Sequence, residues 1–351
     1  MFELRRRSWM LASNELNMRG AMDKKLILGV DIGGSKVAAG LVNAAGEILC
    51  HARVPMNTSG SASDGMNCVH NAIQSVIDAN PKLAIDAIGV SSPGPLDLRQ
   101  GIVLNSPNLP CWPNFALLAK IEQAYGIPTR LDNDANAAGL AEALWGAGAD
   151  YKSVFYVTIG TGIGTAIVLN QRVYYGRTGN AAEGGHMTID FRGVVRCGCG
   201  KRGCIEGLVA GPAIAARAQE KLAASSDGAG MLALAGGEAT RITAETVVKA
   251  WEAGDPLATE VMDETAEMFA VWLGNTIDLL EPEVIVIGGG VGAAIQGLFP
   301  HIQSQAAIWS INSLSSEIPL VTAKYGADAG IVGSAALWLS EPALCETASK
   351  V

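Results

Sequence analysis

The chain has 351 residues, of which 49% are apolar and 17% charged, and its formal net charge is -9. This length predicts two domains instead of one simple core, and the negative charge excludes the basic stripe of a nucleic-acid-binding surface. The sequence lacks the roughly 18 uninterrupted apolar residues of a membrane span. We therefore expect a soluble, cytoplasmic protein without nucleic-acid or membrane partners.

The cysteines and the N-terminal segment indicate a reducing compartment. The chain has seven cysteines, an odd number, and four of them are scattered: Cys50, Cys68, Cys111 and Cys345. That pattern is typical of an intracellular protein and not of a disulfide framework. The first 24 residues include three consecutive arginines but lack the apolar run of an export signal. We interpret residues 1–24 as a disordered tail or as the product of a start codon assigned too early, with Met22 as the alternative start.

The first half of the chain predicts an antiparallel meander followed by helices and strands. The fold is expected to begin at Lys25. Apolar runs separated by turn residues predict the three meander strands over 26–30, 37–42 and 48–56. Hydrophobic periodicity then predicts a helix over 64–79, a buried strand over 87–92, a helix over 115–125, a strand over 129–134 and a helix over 134–144.

The second half predicts mainly helices around a few strands. A long amphipathic helix is expected to stop at Glu281 because proline follows it. The predicted elements are a helix over 211–224, a loop with a short helical piece over 225–241, a helix over 261–280, a buried strand over 284–291 and a last helix over 329–339.

A weak internal repeat links the two halves. Residues 30–43 (VDIGGSKVAAGLVN) align without gaps with residues 157–170 (VTIGTGIGTAIVLN). Both segments predict a strand, a glycine-rich turn and a second strand. The repeat indicates two related lobes that each present a glycine-rich hairpin to a shared cleft. Chance similarity between two glycine-rich hairpins is the alternative.

Three glycine-rich turns are candidate phosphate cradles, because backbone amides exposed at such turns bind phosphate oxygens. They lie at residues 33–34, 160–164 and 288–290. None matches a P-loop or a dinucleotide fingerprint. Asp31 would repel a bare phosphate, so we interpret it as orienting a hydrated Mg2+, with turn capping as the alternative. Lys36 either adds positive charge to this turn or is solvated.

The segment 133–136 (NDAN) lies where a strand is predicted to pass into a helix. Functional groups in α/β folds often occupy such positions. Asp134 is placed to accept a proton from a substrate hydroxyl, and Asn133 to orient that hydroxyl. Aspartate is also a common N-cap residue. Taken without the other motifs, the capping interpretation is favoured.

The segment 186–206 contains the ligand set of a structural zinc site. One histidine with three cysteines forms a closed tetrahedral site, and the set here is His186, Cys197, Cys199 and Cys204. Glycines at 198, 200 and 203 let the loop turn tightly. Glu183 and Glu206 flank the cluster but are too hard for the thiolate set. We expect the zinc to shape a loop that presents these carboxylates to a ligand.

Five motifs, in this order and spacing, resemble the ROK family of bacterial sugar kinases and repressors. They are VDIGGSK (30–36), NDAN (133–136), TIGTGIG (158–164), EGGH (183–186) and CGCGKRGCIE (197–206), and the resemblance covers residues 26–339. It implies an α/β, two-lobed actin-like/hexokinase-like ATPase fold with duplicated ribonuclease-H-like lobes, a zinc-binding loop and ATP in the cleft. We expect a small lobe of residues 25–132 with about 325–345, and a large lobe of residues 133–324.

The resemblance also implies roles for individual residues. Asp134 resembles the catalytic base, and the sugar ligands are matched by Asp134 itself with Asn108, Asn133, Glu183, His186 and Glu206. The zinc ligands are matched by His186, Cys197, Cys199 and Cys204. Positions near the nucleotide are matched by Asp31, Gly33, Gly34, Ser35, Lys36, Thr161, Gly162, Gly289 and Gly290. Two positions depart from the family pattern: Ser35 replaces threonine, and Gly185 replaces a bulkier residue, which leaves the shape of the sugar pocket open.

These matches imply an ATP-dependent hexose kinase that uses Mg2+ and a structural Zn2+. Phosphorylation of glucose at its 6-hydroxyl is the expected reaction, with N-acetylmannosamine, fructose and allose as alternative substrates. A sugar-responsive repressor is the alternative of another class, but only about 24 residues precede the first predicted strand, too few for a helix-turn-helix domain. Because the family is commonly dimeric or tetrameric, we expect a homodimer or homotetramer.

Overall fold

The computed structural model describes residues 25–225 and 227–340 and divides into two compact units. The first unit comprises the described residues up to Trp145 and those from Asp328 onward, and the second comprises Gly146–Ala327. The predictions for residues 1–24, for Cys345 and for residues 341–345 of the small lobe lie outside the described residues.

The first unit begins with the predicted antiparallel meander. Its elements in chain order are β1 (Ile27–Ile32), β2 (Lys36–Val42), β3 (Ile48–Pro55), α1 (Ala62–Ala79), β4 (Ala87–Ser92), β5 (Leu96–Asp97), β6 (Ile102–Val103), α2 (Leu117–Tyr125), β7 (Thr129–Asn133) and α3 (Asp134–Trp145). A five-stranded sheet has the order β3-β2-β1-β4-β7. Strands β4 and β7 run parallel to β1, so the meander is confirmed and extended by two parallel strands.

The second unit repeats this sheet. Its elements are β8 (Ser153–Ile159), β9 (Ile163–Leu169), β10 (Arg172–Val173), α4 (Ile205–Val209), α5 (Gly211–Ala224), α6 (Ala229–Leu234), α7 (Ala244–Glu252), α8 (Pro256–Leu280), β11 (Val284–Gly288), α9 (Gly290–Ala294), α10 (Phe299–Ala306) and β12 (Leu320–Thr322). The strand order is β10-β9-β8-β11-β12, again an antiparallel meander with two parallel strands. Both sheets therefore have the same topology.

The sequence repeat is confirmed as two hairpins, but its gapless alignment is wrong in the second strand. In the first hairpin Ile32 pairs with Val37, and the turn comprises residues 33–36. In the second hairpin Ile159 pairs with Ile163, so the turn comprises only residues 160–162. A shift of one residue reverses the face on which each side chain of a strand lies. Val37 of β2 therefore corresponds in the structure to Ile163 of β9, and not to Gly164, with which the sequence alignment pairs it.

The boundary between the units differs from the predicted one because α3 packs within the first unit. The last helix, α11 (Ala329–Ala336), lies against both α3 and the first sheet. A Cβ atom on Gly333 would come within 2.4 Å of the carbonyl carbon of Ala137 in α3. A Cβ on Gly89 would lie 1.8 Å from the carbonyl oxygen of Ser334. Such close backbone approaches require glycine and bind α3 and α11 to the same sheet.

A buried central helix organises the second unit. Phe269, Trp272 and Leu273 of α8 are fully buried in the core. The helix starts at Pro256, earlier than predicted, because the Asp255 side chain accepts a hydrogen bond from the Ala258 amide at 3.0 Å and caps it. Among the described residues, no helix is at once sufficiently long and apolar to cross a membrane.

Candidate active site

The first glycine-rich turn is supported by a half-buried carboxylate, Asp31. Ser91 donates a hydrogen bond from its hydroxyl to Asp31 at 3.0 Å. A Cβ on Gly330, in the first turn of α11, would lie 2.2 Å from the carboxyl carbon of Asp31. Burial, and next the negative charge of Asp134, raise the pKa of Asp31 to about 6. Asp31 is thus a carboxylate whose ionised form is disfavoured unless a cation is close.

The turn itself is exposed and carries the predicted phosphate-binding groups. The Gly33 amide donates to the carbonyl of Lys36 at 2.9 Å and closes the turn. Gly34, Ser35 and Lys36 are exposed. A Cβ on Gly34 would lie 2.9 Å from the carbonyl oxygen of Asn108. The structure therefore brings Asn108, a predicted sugar ligand, next to the predicted phosphate turn.

Asn133, and not Asp134, caps helix α3. The Asn133 side-chain oxygen accepts from the amides of Ala135 at 2.9 Å and Asn136 at 3.4 Å, the positions that an N-cap residue serves. Asp134 is the exposed first residue of the helix and accepts from the Ala135 amide at 2.8 Å. The capping interpretation of Asp134 is wrong. Its carboxylate lies close enough to Asp31 to raise the pKa of that residue.

Two buried residues that the sequence analysis gave no role hold this strand-to-helix junction. Asp132 and Asn136 are 1% and 5% exposed. The Asp132 carboxylate accepts from the Asn133 amide at 2.6 Å and from the Asn136 side-chain amide at 3.1 Å. Because a buried carboxylate is costly unless hydrogen-bonded, this pair fixes the backbone from which Asn133 and Asp134 project. The sequence of residues 132–136 (DNDAN) could have indicated this pair, because it has a polar residue on either side of the predicted site.

In the second unit, Glu206 supports the glycine-rich turn from behind. Its Oε2 accepts from the Ile163 amide at 3.1 Å, and a Cβ on Gly162 would lie 2.7 Å from the same oxygen. Its Oε1 lies 3.2 Å from Cys197 Sγ and 3.7 Å from His186 Nδ1. Thr161 at the tip of the turn is exposed. Glu206 thus joins the predicted phosphate turn to the cysteine cluster.

The predicted metal ligands come together as a four-residue cluster. One ligand atom from each of His186, Cys197, Cys199 and Cys204 lies within 4.8 Å of the others. The Cys199 and Cys204 sulfurs are 3.8 Å apart, and Cys197 Sγ is 3.7 Å from His186 Nδ1. Tetrahedral zinc with bonds of about 2.3 Å to sulfur places its sulfur ligands about 3.8 Å from one another. The cluster has the dimensions of a zinc site.

The chemistry of the donor set agrees with these dimensions. Burial raises the pKa of the Cys197 thiol to about 12, so that this thiol stays protonated at neutral pH without a cation. A metal ion that binds thiolates displaces such protons. The loop turns at Gly200 and Gly203, whose φ angles are 91° and 70°, and a Cβ on Gly203 would lie 1.9 Å from the Asp190 carbonyl. Gly198 does not have a positive φ, so the turn of the loop at this position does not require glycine.

Glu183 directly precedes a short 3-10 turn, Gly184–His186, which ends at His186. Glu183 is exposed, and its carbonyl accepts from the His186 amide at 3.0 Å. Because His186 Nδ1 faces Cys197, Nε2 is the ring nitrogen directed away from the cluster. A Cβ on Gly185 would lie 2.0 Å from the Ile163 carbonyl oxygen. This contact leaves no room for a side chain at position 185 of this chain.

The third glycine-rich turn lies beside the second. The strand predicted over 284–291 ends at Gly288, and α9 begins at Gly290. Gly289 has a φ of 81°, and a Cβ there would lie 2.3 Å from the Ile159 carbonyl at the end of β8. Gly289 and Gly290 therefore lie at the same sheet edge as Thr161 and Gly162.

Two α/β units with the same strand order, each with a glycine-rich hairpin turn at its predicted nucleotide-binding residues, define the actin-like/hexokinase-like ATPase fold that the sequence analysis predicted. The cysteine cluster in the second unit narrows the class further. The ROK family model matches residues 27–341, and the chain belongs to the ROK family.

Named relatives agree with this assignment. The chain is 32% identical to a glucokinase of Halalkalibacterium halodurans over 320 residues, which covers 91% of this chain and 96% of the relative. It is 31% identical to an N-acetylmannosamine kinase of Yersinia pseudotuberculosis over 311 residues, 89% of this chain and 97% of the relative. A crystal structure of a Streptomyces griseus ROK glucokinase in complex with glucose and AMPPNP has a TM-score of 0.77 at 32% identity, with 89% of this chain and 98% of that chain covered.

Proposed function

We propose that the protein is an ATP-dependent hexose kinase that phosphorylates the 6-hydroxyl of glucose. The proposal rests mainly on the position of Asp134. This residue is exposed at the start of α3, and the side chain of Asn133 is the one that caps the helix. An exposed carboxylate at this position can serve as a general base. Similarity to glucokinases over about nine-tenths of the chain supports the choice of glucose.

In the proposed reaction Asp134 accepts the proton of the 6-hydroxyl. The hydroxyl oxygen then bonds to the γ-phosphorus of ATP while the bond from that phosphorus to the bridging oxygen of ADP breaks. Catalysis of phosphoryl transfer consists mainly of positioning and charge stabilisation. The sugar hydroxyls are assigned to Asn108, Asn133, Glu183, His186 and Glu206.

The nucleotide phosphates are assigned to the amides and side chains of the glycine-rich turns. These are Gly33, Gly34, Ser35, Lys36, Thr161 and Gly162, with Gly289 and Gly290 near the adenosine. Mg2+ fits the first turn because the half-buried Asp31 offers a hard carboxylate oxygen near a second acid, Asp134, where a cation would relieve the cost of ionisation. Asp31 would hold the ion there, and the ion would supply positive charge to the phosphates.

A structural zinc ion is the proposed occupant of the cysteine cluster. The sulfur and nitrogen distances and the donor set support zinc over a harder ion. The ion would hold His186 and the loop that ends at Glu206, and it would take no part in the chemical step.

The test of the base is Asp134→Asn. We expect turnover to fall by about 100- to 10,000-fold, because a carboxamide does not accept the proton, with glucose affinity within about threefold of the wild type. Asp78→Asn, an exposed acid on α1 of the same unit, is the matched control and should keep full turnover. ADP release in a coupled assay and glucose binding by calorimetry measure the two quantities. Near-normal turnover of Asp134→Asn would refute the assignment.

N-acetylmannosamine kinase is the second candidate, favoured by the relative of that activity at 31% identity; fructose is a further alternative substrate. A panel of these sugars in the same assay ranks them by kcat/KM, and a higher value for N-acetylmannosamine than for glucose would replace the proposed substrate. Absence of ADP release with every sugar would instead favour a sugar-responsive regulator. A cytoplasmic location and a homodimeric or homotetrameric state remain part of the proposal, and light scattering measures the latter.

A further inference from the structure

Two buried side chains of the second unit contact the segment that carries Glu183. They are Thr165 on β9 and Trp272 on α8, which are 4% and 0% exposed. Neither was singled out by the sequence motifs, and neither belongs to the proposed ligand set. Both direct their polar atoms at the backbone of residues 182–184.

The Thr165 hydroxyl fixes both peptide groups of Glu183. It donates to the carbonyl of Ala182, which belongs to the peptide group before Glu183. It also accepts, at 2.9 Å, from the amide of Gly184, which belongs to the peptide group after Glu183. Because the two peptide planes that flank a residue determine the direction of its Cα–Cβ bond, this one hydroxyl sets where the Glu183 side chain projects.

Trp272 holds the next peptide group. Its indole Nε1 donates to the Gly184 carbonyl at 3.1 Å. The indole ring is in turn fixed by Phe155 and Phe269, whose ring centroids lie 5.7 and 5.3 Å from it. A tryptophan with no exposure and two aromatic neighbours is a rigid donor, so the position of Gly184 is tied to the core of the unit.

The backbone of the segment is strained and closely packed, so it needs these anchors. Ala182 has a φ of 62°, in the left-handed region that residues other than glycine seldom occupy. Gly184 is so close to Thr165 that a Cβ there would lie 2.8 Å from the hydroxyl oxygen. Strained backbone persists only where the surrounding structure over-determines it, and Thr165 and Trp272 supply that determination here.

We propose that Thr165 and Trp272 are positioning residues for sugar binding, which act by fixing the backbone that aims Glu183. The inference rests on the proposed hexose kinase function. Without the Thr165 hydroxyl, the Ala182 carbonyl and the Gly184 amide lose their buried partner. The segment then relaxes, and Glu183 spends less time in the direction that binds the sugar.

The experiment compares Thr165→Val with Thr165→Ser. Valine has the shape of threonine without its hydroxyl, whereas serine keeps the hydroxyl. We expect Thr165→Val to raise KM and the calorimetric Kd for glucose by about tenfold, equivalent to 1.4 kcal/mol, with KM for ATP and the bound zinc unchanged. Thr165→Ser should restore glucose affinity to within about threefold of the wild type. Trp272→Phe removes the indole donor and should weaken glucose binding in the same way.

The control is Thr276→Val, a change at a residue that is 5% exposed, whose hydroxyl donates to the Trp272 carbonyl within α8 at 2.9 Å. It should change thermal stability about as much as Thr165→Val while leaving the glucose constants unaltered. Glucose affinity of Thr165→Val equal to the wild type, or an equal loss in Thr276→Val, would overturn the positioning role. If wild-type protein phosphorylates no hexose, the proposed function fails instead, so the two failures are distinguishable.

Discussion

The two units have the same sheet but support their glycine-rich turns by different chemistry. In the first unit the turn at residues 33–36 follows Asp31, which is held by Ser91 and packed against α11. In the second unit the turn at residues 160–162 is one residue shorter, and Thr158 stands at the position of Asp31. Support there comes from Glu206, which also contacts the cysteine cluster. The two units therefore share a strand order, but different side chains contact their glycine-rich turns.

This difference fits the separate roles that the proposed function gives to the two turns. A carboxylate beside the first turn suits a cation that accompanies phosphate. In the second turn the acid Glu206 instead accepts from the Ile163 amide and holds the backbone that the proposal assigns to the phosphate oxygens. The cysteine cluster occurs in the second unit, where it supports residues assigned to the sugar. Fold duplication therefore supplied two equivalent turns that contact different acids: Asp31 belongs to the first repeat segment, whereas Glu206 lies outside the second.

The largest loss of ordered structure is expected from breaking the cysteine cluster of the second unit. Cys199→Ala should lose the zinc, and because structural zinc contributes on the order of 10 kcal/mol in small domains, the loop should lose its order and glucose affinity should fall at least about 30-fold. Cys68→Ala, in α1 of the first unit, should keep both. Elemental analysis and calorimetry on the same samples check this. A metal-free Cys199→Ala protein with wild-type glucose affinity would separate the metal from the sugar site.

The next effect tests the two hairpins at matched positions. Asp31→Asn should lower turnover by about 100-fold or more, because an interaction with the developing charge is removed. Thr158→Val, at the corresponding position of the second hairpin, should change turnover less than about threefold. The measurement is kcat at saturating glucose and MgATP, with a Mg2+ titration for each variant. Similar losses in both variants would show that the hairpins are functionally equivalent after all.

The raised pKa of Asp31 gives the ligand-free protein a pH-dependent stability. Because the pKa in the folded state, about 6, exceeds the ordinary 3.8, the folded protein holds a proton that the unfolded chain releases between these values. The free energy of unfolding from this residue therefore falls as the pH rises from 3.8 to about 6, by at most about 3 kcal/mol, and is constant above. Denaturant unfolding at several pH values checks this against Asp31→Asn, which should lack that component. An unchanged slope in the variant would contradict it.

The smallest effect compares two glycines of the second turn. A Cβ on Gly162 would lie 2.7 Å from Glu206 Oε2, whereas a Cβ on Gly160 would have open space around it. Gly162→Ala should displace the Glu206 carboxylate and weaken glucose binding about fivefold, while Gly160→Ala should stay within about twofold. Calorimetric Kd values for glucose measure both. Equal effects would show that Glu206 is not held in place by the turn.

Local patterns made much of the fold predictable. The β1–β3 meander, α1 and α5 match the predicted elements closely, because their hydrophobic periodicity and turn residues are strong. Helices α7 and α10 were not predicted. Helix α8 was predicted to begin at residue 261 instead of Pro256, because the prediction did not use Asp255 and Pro256 as an N-cap and a first helical residue. The one-residue slip between the repeats depended on turn length, which the gapless alignment did not resolve.

The sequence by itself determined the cysteine cluster, the glycine-rich hairpins and the NDAN junction, because each is a short segment whose spacing limits its geometry. Tertiary structure decided which groups these segments meet. Asp31 packs against α11 and lies within the electrostatic influence of Asp134. Gly184 is held by Trp272, 88 residues further along the chain. Such contacts follow from the packing of helices on sheets. The pKa of Asp31 and the backbone conformation at Gly184 are therefore determined only when segments that are distant in the sequence pack together.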